Sequence, residues 1–385
     1  MANTLTNLIP DAYEAMDVVA RELVGFIPAV TMNASAARAA VGQVIRSHVA
    51  PASTASDVTP GTTPPDDGDQ VIGNKSLTIT KSRVVPFRWT GEEELGVDSG
   101  PGTGNVRADQ IAQAVRTLVN EVEVDLGLLA YKASRAYGTA ATTPFASTLA
   151  DPAQLRKILV DNGAPDNNLQ LVIDSTAGAA LRTLAQLTKV NEAGDSSLLR
   201  QGILLPLHNF DVRESAGVAN PTVGTGASAT TNTAGYAIGA TVITLASAGT
   251  GTIIAGDVIT FTGDTNKYIV TSGDADVSNG GTITLAAPGL RKALAASAIA
   301  ITVVAKSTRN LGFHRSSIHL AARAPALPKE GDMASDRTIL QDPRSGLAFE
   351  FAMYPQYRRI RYEVSLAWGC ELMKPEFAAV LLGQA

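Results

Sequence analysis

Residues 106–136 constrain the fold more than any other part of the sequence. Apolar residues recur there at steps of three and four, at Ile111, Val115, Leu118, Val122, Leu126, Leu129 and Ala133. This spacing predicts one amphipathic helix of roughly 30 residues, about 45 Å long at 1.5 Å per residue. Asn105 is the predicted N-cap, and Gly138 is expected to end the helix. Such a helix outspans a small globular core and fits an elongated subunit better than a sphere.

An α/β pattern follows the predicted long helix. Asp151-Pro152-Ala153-Gln154 resembles a capping box with proline at the first helical position, so we expect a helix from there to Asn162-Gly163. Residues 169–173 read as a short buried strand and residues 175–187 as a second helix. Residues 198–212 are predicted to form a strand and a turn.

The composition changes after Ala216. Residues 216–290 contain fifteen Thr, four Asp and one Lys, with no Arg or Glu. Their β-branched alternations are separated by glycine-rich turns, which predicts a small all-β unit, most simply a compact barrel closed by a strand at residues 298–304. Strand patterns return at residues 317–322, 347–354 and 360–371.

The N-terminal part is predicted to form a helix over residues 10–24 and two extended stretches, 41–49 and 71–88. Between these stretches, residues 50–69 contain four Asp and four Pro but no Lys or Arg. This segment is either a surface loop or a long arm that becomes ordered only against a partner. Its aspartates are candidate contacts with such a partner: Asp57, Asp66, Asp67 and Asp69.

Composition and motifs exclude several classes of function. The net charge of −5 argues against broad neutralisation of phosphates. No apolar run reaches the ~18 residues that a membrane span needs. The sequence lacks the Gly-Lys of a phosphate-binding loop, a complete GxGxxG and a metal-ligand cluster. The strand-to-helix segment 173–177 lacks both glycines of a nucleophile elbow. We therefore expect no catalytic, cofactor or metal site.

Two charged clusters are candidate contacts instead. Glu92, Glu93 and Glu94 are either a solvated face or an intersubunit charge patch. Arg358, Arg359 and Arg361 form the densest basic group and suit either nucleic acid or the acidic arm of another subunit. Charges that meet across an interface mainly fix its register.

The order of these parts, together with local motifs, resembles the major capsid protein of tailed bacteriophages, in the branch whose coat subunit carries an inserted β-barrel domain. The motifs are Gly256-Asp257-Val258-Ile259-Thr260-Phe261, Tyr268-Ile269-Val270, Ala287-Pro288-Gly289-Leu290, Ser317-Ile318-His319-Leu320-Ala321, Leu366-Ala367-Trp368-Gly369 and Lys374-Pro375-Glu376. The resemblance covers essentially the whole chain.

This resemblance implies an α+β fold, that of the tailed-phage major capsid protein, with an inserted small all-β barrel. The implied parts are an N-terminal arm and helix (1–40), an extended arm with supporting strands (41–90), a peripheral domain with the spine helix (91–149), an axial domain in two pieces (150–215 and 306–345), the inserted barrel (216–305) and C-terminal peripheral strands (346–385).

The implied function is structural and non-catalytic. Subunits would assemble through hexamers and pentamers into an icosahedral virion shell that encloses double-stranded DNA without sequence specificity, in the host bacterial cytoplasm. The expected partners are other copies of the chain, a scaffolding protein and a portal, and no membrane. The insertion would contribute contacts at its loop tips, Asp264, Asp274 and Asp276. Some members of the family that the chain resembles crosslink through a Lys–Asn isopeptide bond. No lysine lies between His48 and Asn74 here, so we expect non-covalent assembly.

Three other interpretations remain open on the sequence. One is an encapsulin-like nanocompartment shell, against which the insertion argues. Another is a ligand- or glycan-binding protein or enzyme that uses the barrel, which predicts a small oligomer with a polar pocket. A third is another virion part, such as a tail or decoration protein.

Overall fold

A computed structural model describes residues 24–33, 38–49, 55, 57–58, 60–63, 72–98, 103–189, 201, 204, 206–342 and 345–384. The fold is mixed α and β, which confirms the predicted α+β class. Its helices are α1 (Phe26–Ala29), α2 (Gly91–Asp98), α3 (Thr103–Leu128), α4 (Ala150–Asp161), α5 (Ser175–Thr183) and α6 (Ala185–Thr188). The helix predicted over residues 10–24 lies almost entirely outside the described residues.

Strands make up most of the regular structure. They are β1 (Thr31–Asn33), β2 (Val44–Val49), β3 (Gly73–Thr78), β4 (Lys81–Thr90), β5 (Arg135–Tyr137), β6 (Leu169–Ile173), β7 (Phe210–Glu214), β8 (Val242–Leu245), β9 (Val258–Phe261), β10 (Lys267–Ser272), β11 (Gly281–Leu285), β12 (Ile301–Val303), β13 (Arg309–His314), β14 (Ile318–Arg323), β15 (Asp336–Gln341), β16 (Ala348–Gln356), β17 (Arg359–Leu372) and β18 (Ala378–Leu382).

One sheet has six strands in the order β1-β14-β17-β16-β15, with β4 antiparallel to β17. The fourteen-residue strand β17 organises this sheet, because β4 pairs with residues 359–368 and β14 with residues 367–372. The strands predicted at 317–322, 347–354 and 360–371 correspond to β14, β16 and β17. Each of these predictions is confirmed to within two residues.

A second sheet has ten strands, eight of them in the order β12-β9-β10-β5-β18-β13-β6-β7, with β11 paired to β10 and β8 to β11. It combines strands before, within and after residues 216–305. Strand β6 matches the prediction for residues 169–173, and all five of its residues are buried. Because its faces are both covered, β6 is an uninterrupted apolar run apart from Gln170.

The strands of residues 242–303 form a closed ring of pairings. Beyond the order β12-β9-β10-β11-β8, residues 229–231 contact both ends of the series. Ala246 N donates to Thr230 O at 2.9 Å beside β8, and Ile301 N donates to Ala229 O at 2.8 Å in β12. The interior is filled by apolar side chains, including Ile243, Phe261 and Ile283. The ring is continuous with the rest of the sheet, since β10 also pairs with β5.

The long helix is shorter than predicted. Helix α3 spans Thr103–Leu128, about 39 Å, and a 3₁₀ turn at Leu129–Lys132 follows it. The prediction that the helix runs to residue 136 and ends at Gly138 is wrong. Residues 135–137 form β5 between β10 and β18, and this pairing outweighs the helical periodicity. Leu129 and Ala133 nonetheless remain buried.

Helix α3 lies between the two sheets. Its residues Leu118, Val122 and Leu126 are at most 1% exposed and belong to one core with residues of both sheets. Trp368 of the six-stranded sheet and Val380 of the ten-stranded sheet are in that core. A second core lies around α4, α5 and β6, and a third fills the ring. The 3₁₀ turn at Leu129–Lys132 contacts β17 of the six-stranded sheet and β10, β13 and β18 of the ten-stranded sheet, so the two sheets meet at the C-terminal end of the helix.

Helices α4 and α5 begin in different ways. Asp174 caps α5 by accepting a hydrogen bond from Thr176 N at 3.2 Å. The capping box predicted at residues 151–154 is wrong: α4 begins at Ala150 and has no side-chain cap. The Asp151 carboxylate instead accepts from Phe145 N at 2.8 Å and closes the preceding loop.

Strands β2 and β3 form a two-stranded ribbon that pairs with no other described strand. Its base is fixed to the molecule, because Leu77 and the neighbouring Ile79 are at most 1% exposed. Val41 (59% exposed) and Val44 (47%) lie beside this base, and Ile72 (69%) directly precedes the outer end of β3. A ribbon of two strands is marginally stable alone in water, so its outer part needs further contacts.

Helix propensity alone predicts that replacing Gly127 of α3 by alanine stabilises the subunit, but the contact between Gly127 and Gly217 predicts the opposite. A Cβ on Gly127 would lie 2.0 Å from the carbonyl oxygen of Gly217. We expect Gly127→Ala to destabilise the subunit by about 1–3 kcal/mol through overpacking. Gly96→Ala in α2 is the matched control, because nothing lies within 4 Å of its added Cβ. The control should gain about 0.5–1 kcal/mol from propensity. Urea unfolding of dilute subunits measures both, and stabilisation by Gly127→Ala would contradict the close approach.

Candidate interaction surfaces

A cleft of about 950 Å³ lies at one end of the six-stranded sheet. It is lined by residues 89–94, where β4 continues into α2, and by residues 355–360, the hairpin between β16 and β17. The pairing of Thr90 with Arg359 sets the two segments side by side, and Gly91 N donates to Arg358 O at 3.3 Å. The acidic and basic clusters that the sequence analysis treated separately therefore form two walls of one cleft.

The three glutamates of the acidic wall have different roles. Glu93 forms a capping box with Thr90: Glu93 N donates to Thr90 Oγ1 at 3.2 Å, and Thr90 N donates to Glu93 Oε2 at 2.8 Å. Glu94 pairs with Arg107 of α3 at 2.7 Å. Glu92 is exposed and has no hydrogen bond or ion pair to any described residue. Only Glu92 is thus available to a partner.

The arginines of the basic wall are similarly divided. Arg359 Nε donates to Gln356 Oε1 at 2.7 Å, and Arg361 forms an ion pair with Glu363. Arg361 lies next to the cleft rather than in its wall. The guanidinium of Arg358 has no ion pair among the described residues, and its carbon atom lies 5.9 Å from the ring centroid of Tyr357. That tyrosine is 88% exposed.

The three aspartates of the insertion organise their own loops. Asp264 accepts hydrogen bonds from Tyr268 Oη at 2.7 Å and Asn266 N at 2.9 Å. Asp274 accepts from Asp276 N at 2.8 Å. Asp276 caps the 3₁₀ turn at Val277–Asn279 through Ser278 N, at 3.1 Å. These bonds give each aspartate a role within the chain, and their predicted intersubunit contacts remain predictions.

Among the predicted arm contacts, the structure describes only Asp57, which is exposed. Asp66, Asp67 and Asp69 lie outside the described residues. Val58, next to Asp57, is 94% exposed. The role of Asp57, Asp66, Asp67 and Asp69 as contacts between subunits therefore remains a prediction.

Sequence reasoning missed the buried carboxylate of Glu123. This side chain lies on α3, is 2% exposed, and accepts hydrogen bonds from Phe26 N at 3.0 Å, Ile27 N at 3.1 Å and Ser215 Oγ at 3.0 Å. Burial raises the pKa of the Glu123 carboxyl, while these donors act in the opposite direction. The Glu123 carboxylate thus links α1 to α3 and to Ser215, which follows β7. A single Glu beside an apolar stripe carries no sequence signal for this role.

A second unpredicted cluster links β4 to α3 and β17. Lys81 Nζ contacts Glu121 Oε1 at 3.1 Å and Asp125 Oδ1 at 2.8 Å. Asp125 Oδ2 accepts from Nε1 of the fully buried Trp368 at 2.9 Å. Desolvation opposes the charged form of Lys81, but the two carboxylates raise its pKa overall. These contacts fix the N-terminal end of β4 against α3.

Other chemistry is limited in the part of the chain that the structure describes. No group of three His, Cys, Asp or Glu residues there could hold a metal ion. None of the described helices is long and apolar enough to cross a bilayer. Burial, with smaller contributions from Asp125 and Glu371, raises the pKa of the Cys370 thiol to about 12. Its thiolate, the reactive form, is therefore scarce at neutral pH.

No family model and no curated protein matches the sequence. Among solved structures, the chain is similar to one from Mycobacterium phage Che8, with 14% identity, a TM-score of 0.49 and 98% of each chain covered. In the capsid structure of the cyanophage P-SCSP1u, the values are 13% identity and a TM-score of 0.49, over 99% of this chain and 92% of that one. For the capsid of a native GTA particle they are 11% and 0.47, over 98% and 96%. Of these three structures, the cyanophage and GTA-particle ones are capsids, and the third is from a phage.

Proposed function

We propose that this chain is a major capsid protein, a non-catalytic subunit that assembles through hexamers and pentamers into an icosahedral virion shell around double-stranded DNA. Its partners are other copies of itself, a scaffolding protein and a portal, and it binds DNA without sequence specificity. Assembly takes place in the cytoplasm of the host bacterium. The alternatives, a nanocompartment shell or a ligand-binding protein or enzyme built on the ring of strands, make different predictions about cargo and oligomeric state.

The β2–β3 ribbon is the observation that carries this proposal. It is paired only with itself among the described strands, and it exposes Val41 and Val44 near its base and Ile72 next to its outer end. A two-stranded ribbon is marginally stable alone in water, so these exposed apolar side chains favour contacts with another molecule. A subunit that presents them on a projecting ribbon is expected to bury them against neighbouring copies, as a shell requires.

The frame behind the ribbon supports a role in assembly. Helix α3 packs against β4 and β17 of the six-stranded sheet, and Lys81 at the start of β4, shortly after the ribbon in sequence, contacts Glu121 and Asp125 of this helix. The ribbon is thus followed directly by a strand that is fixed to the long helix, rather than by a loop. Rigid positioning of an arm suits a subunit that must meet neighbours at defined angles.

We further propose that residues 216–305 are an inserted domain of the barrel type. The ring of pairings through residues 229–231 and the packed interior around Ile243 and Phe261 support this assignment. The remaining ranges given for the arm, peripheral and axial parts are proposed on the same basis, with the ten-stranded sheet spanning the axial part and the insertion. The filled interior disfavours a glycan or ligand site inside the ring.

The features described above favour a structural role over catalysis. The charged cleft lies at the hairpin between β16 and β17, and its carboxylates are engaged in a helix cap and an ion pair except for Glu92. The high thiol pKa of Cys370 makes it a poor nucleophile. No proton relay or nucleophile–base pair links these groups.

Electron microscopy of the purified full-length chain tests the proposal. The protein is imaged in negative stain alone and after co-expression with a scaffolding protein, and we expect closed polyhedral shells. Double-stranded DNA that resists added nuclease until the shells are opened, in shells purified from infected cells, would separate a capsid from a nanocompartment, which holds an enzyme. A monomer or small oligomer that never assembles under any condition would contradict the proposal.

A further inference from the structure

We propose that the cleft between α2 and the β16–β17 hairpin is a contact between copies of this chain, in which Glu92 of one copy pairs with Arg358 of the next. This inference rests on the proposed function and specifies one of the contacts that assembly would use.

Two groups of opposite charge in this cleft have no ion-pair partner among the described residues. Glu93, Glu94 and Arg359 are held by hydrogen bonds or an ion pair within the chain. Glu92 and Arg358 are exposed on the two walls, and neither forms an ion pair with any described residue, including the other. The six charged residues selected from the sequence are thus reduced to one acidic and one basic group.

The backbone at the tip of the β16–β17 hairpin is in a conformation that is unfavourable for the isolated subunit. Arg358 adopts a left-handed backbone with φ of 54°, a conformation that costs a non-glycine residue roughly 1–2 kcal/mol. The neighbouring Tyr357 is 88% exposed. A strained, exposed arginine beside an exposed tyrosine has the composition of an interface hot spot, since Tyr and Arg are enriched there.

The charges on the two walls identify the occupant as a second copy. A cleft with a carboxylate on one wall and a guanidinium on the other is complementary to the same cleft on another molecule. Charge complementarity of this kind orients the copies and excludes wrong registers. A nucleic acid is disfavoured, because the exposed carboxylate of Glu92 on the acidic wall would face its phosphates.

Charge reversal in separate copies provides the test. Glu92→Arg and Arg358→Glu each place like charges across the proposed contact, and we expect each to raise the concentration for half-maximal shell assembly at least about tenfold, as repulsion across an interface does. When the two variants are mixed in equal amounts, every contact between unlike copies again joins Arg to Glu. Assembly of the mixture should then return to within about threefold of the unmodified protein.

Matched controls separate this contact from general effects of charge and folding. Glu330→Arg and Lys329→Glu make the same reversals at an exposed loop outside the cleft and should leave assembly unchanged. Arg358→Gly removes the guanidinium and suits a left-handed backbone, so it should fold at least as well as the unmodified subunit and still assemble poorly.

The outcomes distinguish the contact from the function. If the unmodified protein forms shells and both reversals form them equally well, or if mixing restores nothing, the proposed contact is wrong and the capsid function stands. If the unmodified protein forms no shells, the function itself fails. Restoration on mixing supports the contact directly, because a pair within one chain cannot be repaired by another chain.

Discussion

Deletion of residues 51–69 should leave a folded subunit that forms no stable shells. The deletion joins β2 to β3 through Ala50, Gln70, Val71 and Ile72, and a four-residue loop is a common hairpin connection. The paired strands and the buried base of the ribbon are retained. What the variant loses is the acidic, proline-rich segment that we expect to contact neighbouring copies.

Two measurements on the same preparation decide this prediction. Urea unfolding of dilute subunits should change by less than about 1 kcal/mol, as expected for an exposed loop. Shell formation, followed by sedimentation and electron microscopy, should fall below detection. A control variant keeps the length but replaces Asp57, Asp66, Asp67 and Asp69 by Asn, which removes only the charge. Shells of normal yield from the deletion would show that the segment is dispensable for assembly.

Glu123→Gln should destabilise the subunit strongly. The amide replaces one acceptor oxygen by an NH₂ group that faces the N–H of Phe26 or Ile27, so a buried donor is left without a partner. Hydrogen bonds to charged groups are worth about 1.5–3 kcal/mol each, and we expect a loss of about 2–3 kcal/mol. α1 should also be released from the helix.

Glu121→Gln is the control on the same helix. Glu121 pairs with Lys81 and Arg83 at 3.1 Å, but its side chain is 30% exposed. An ion pair so open to water contributes about 0–1 kcal/mol. Urea unfolding compares the two variants, and limited proteolysis near Gly25 reports the release of α1. Equal stability of the two variants would contradict the buried role assigned to Glu123.

Much of the fold was accessible to sequence reasoning where periodicity and burial agree. β14, β16 and β17 alternate clearly enough to be predicted within two residues, and β6 is a short apolar run between turn signals. The end of α3 was not accessible. Residues 135–137 leave the helix because β5 pairs with β18, whose residues lie more than two hundred positions later. No local pattern contains that partner.

The candidate site was accessible in residue type but not in arrangement. The clusters of Glu and Arg were visible, yet their meeting in one cleft depends on the pairing of β4 with β17. The capping box of Thr90 and Glu93 has a recognisable spacing and could have been found. The pairing of Glu94 with Arg107 could not, because two helices must first be placed against each other. Only the coordinates single out Glu92 and Arg358.

The position of β18 has a consequence for how the chain is made. Residues 378–382 lie between β5 and β13 and, among the described strands, connect the ring side of the ten-stranded sheet to β6 and β7. A ribosome delivers this strand after every other described strand, so both halves have open edges until residues 378–382 have been made. Open edges invite wrong pairing. A chain that stops before residue 378 should thus aggregate rather than fold.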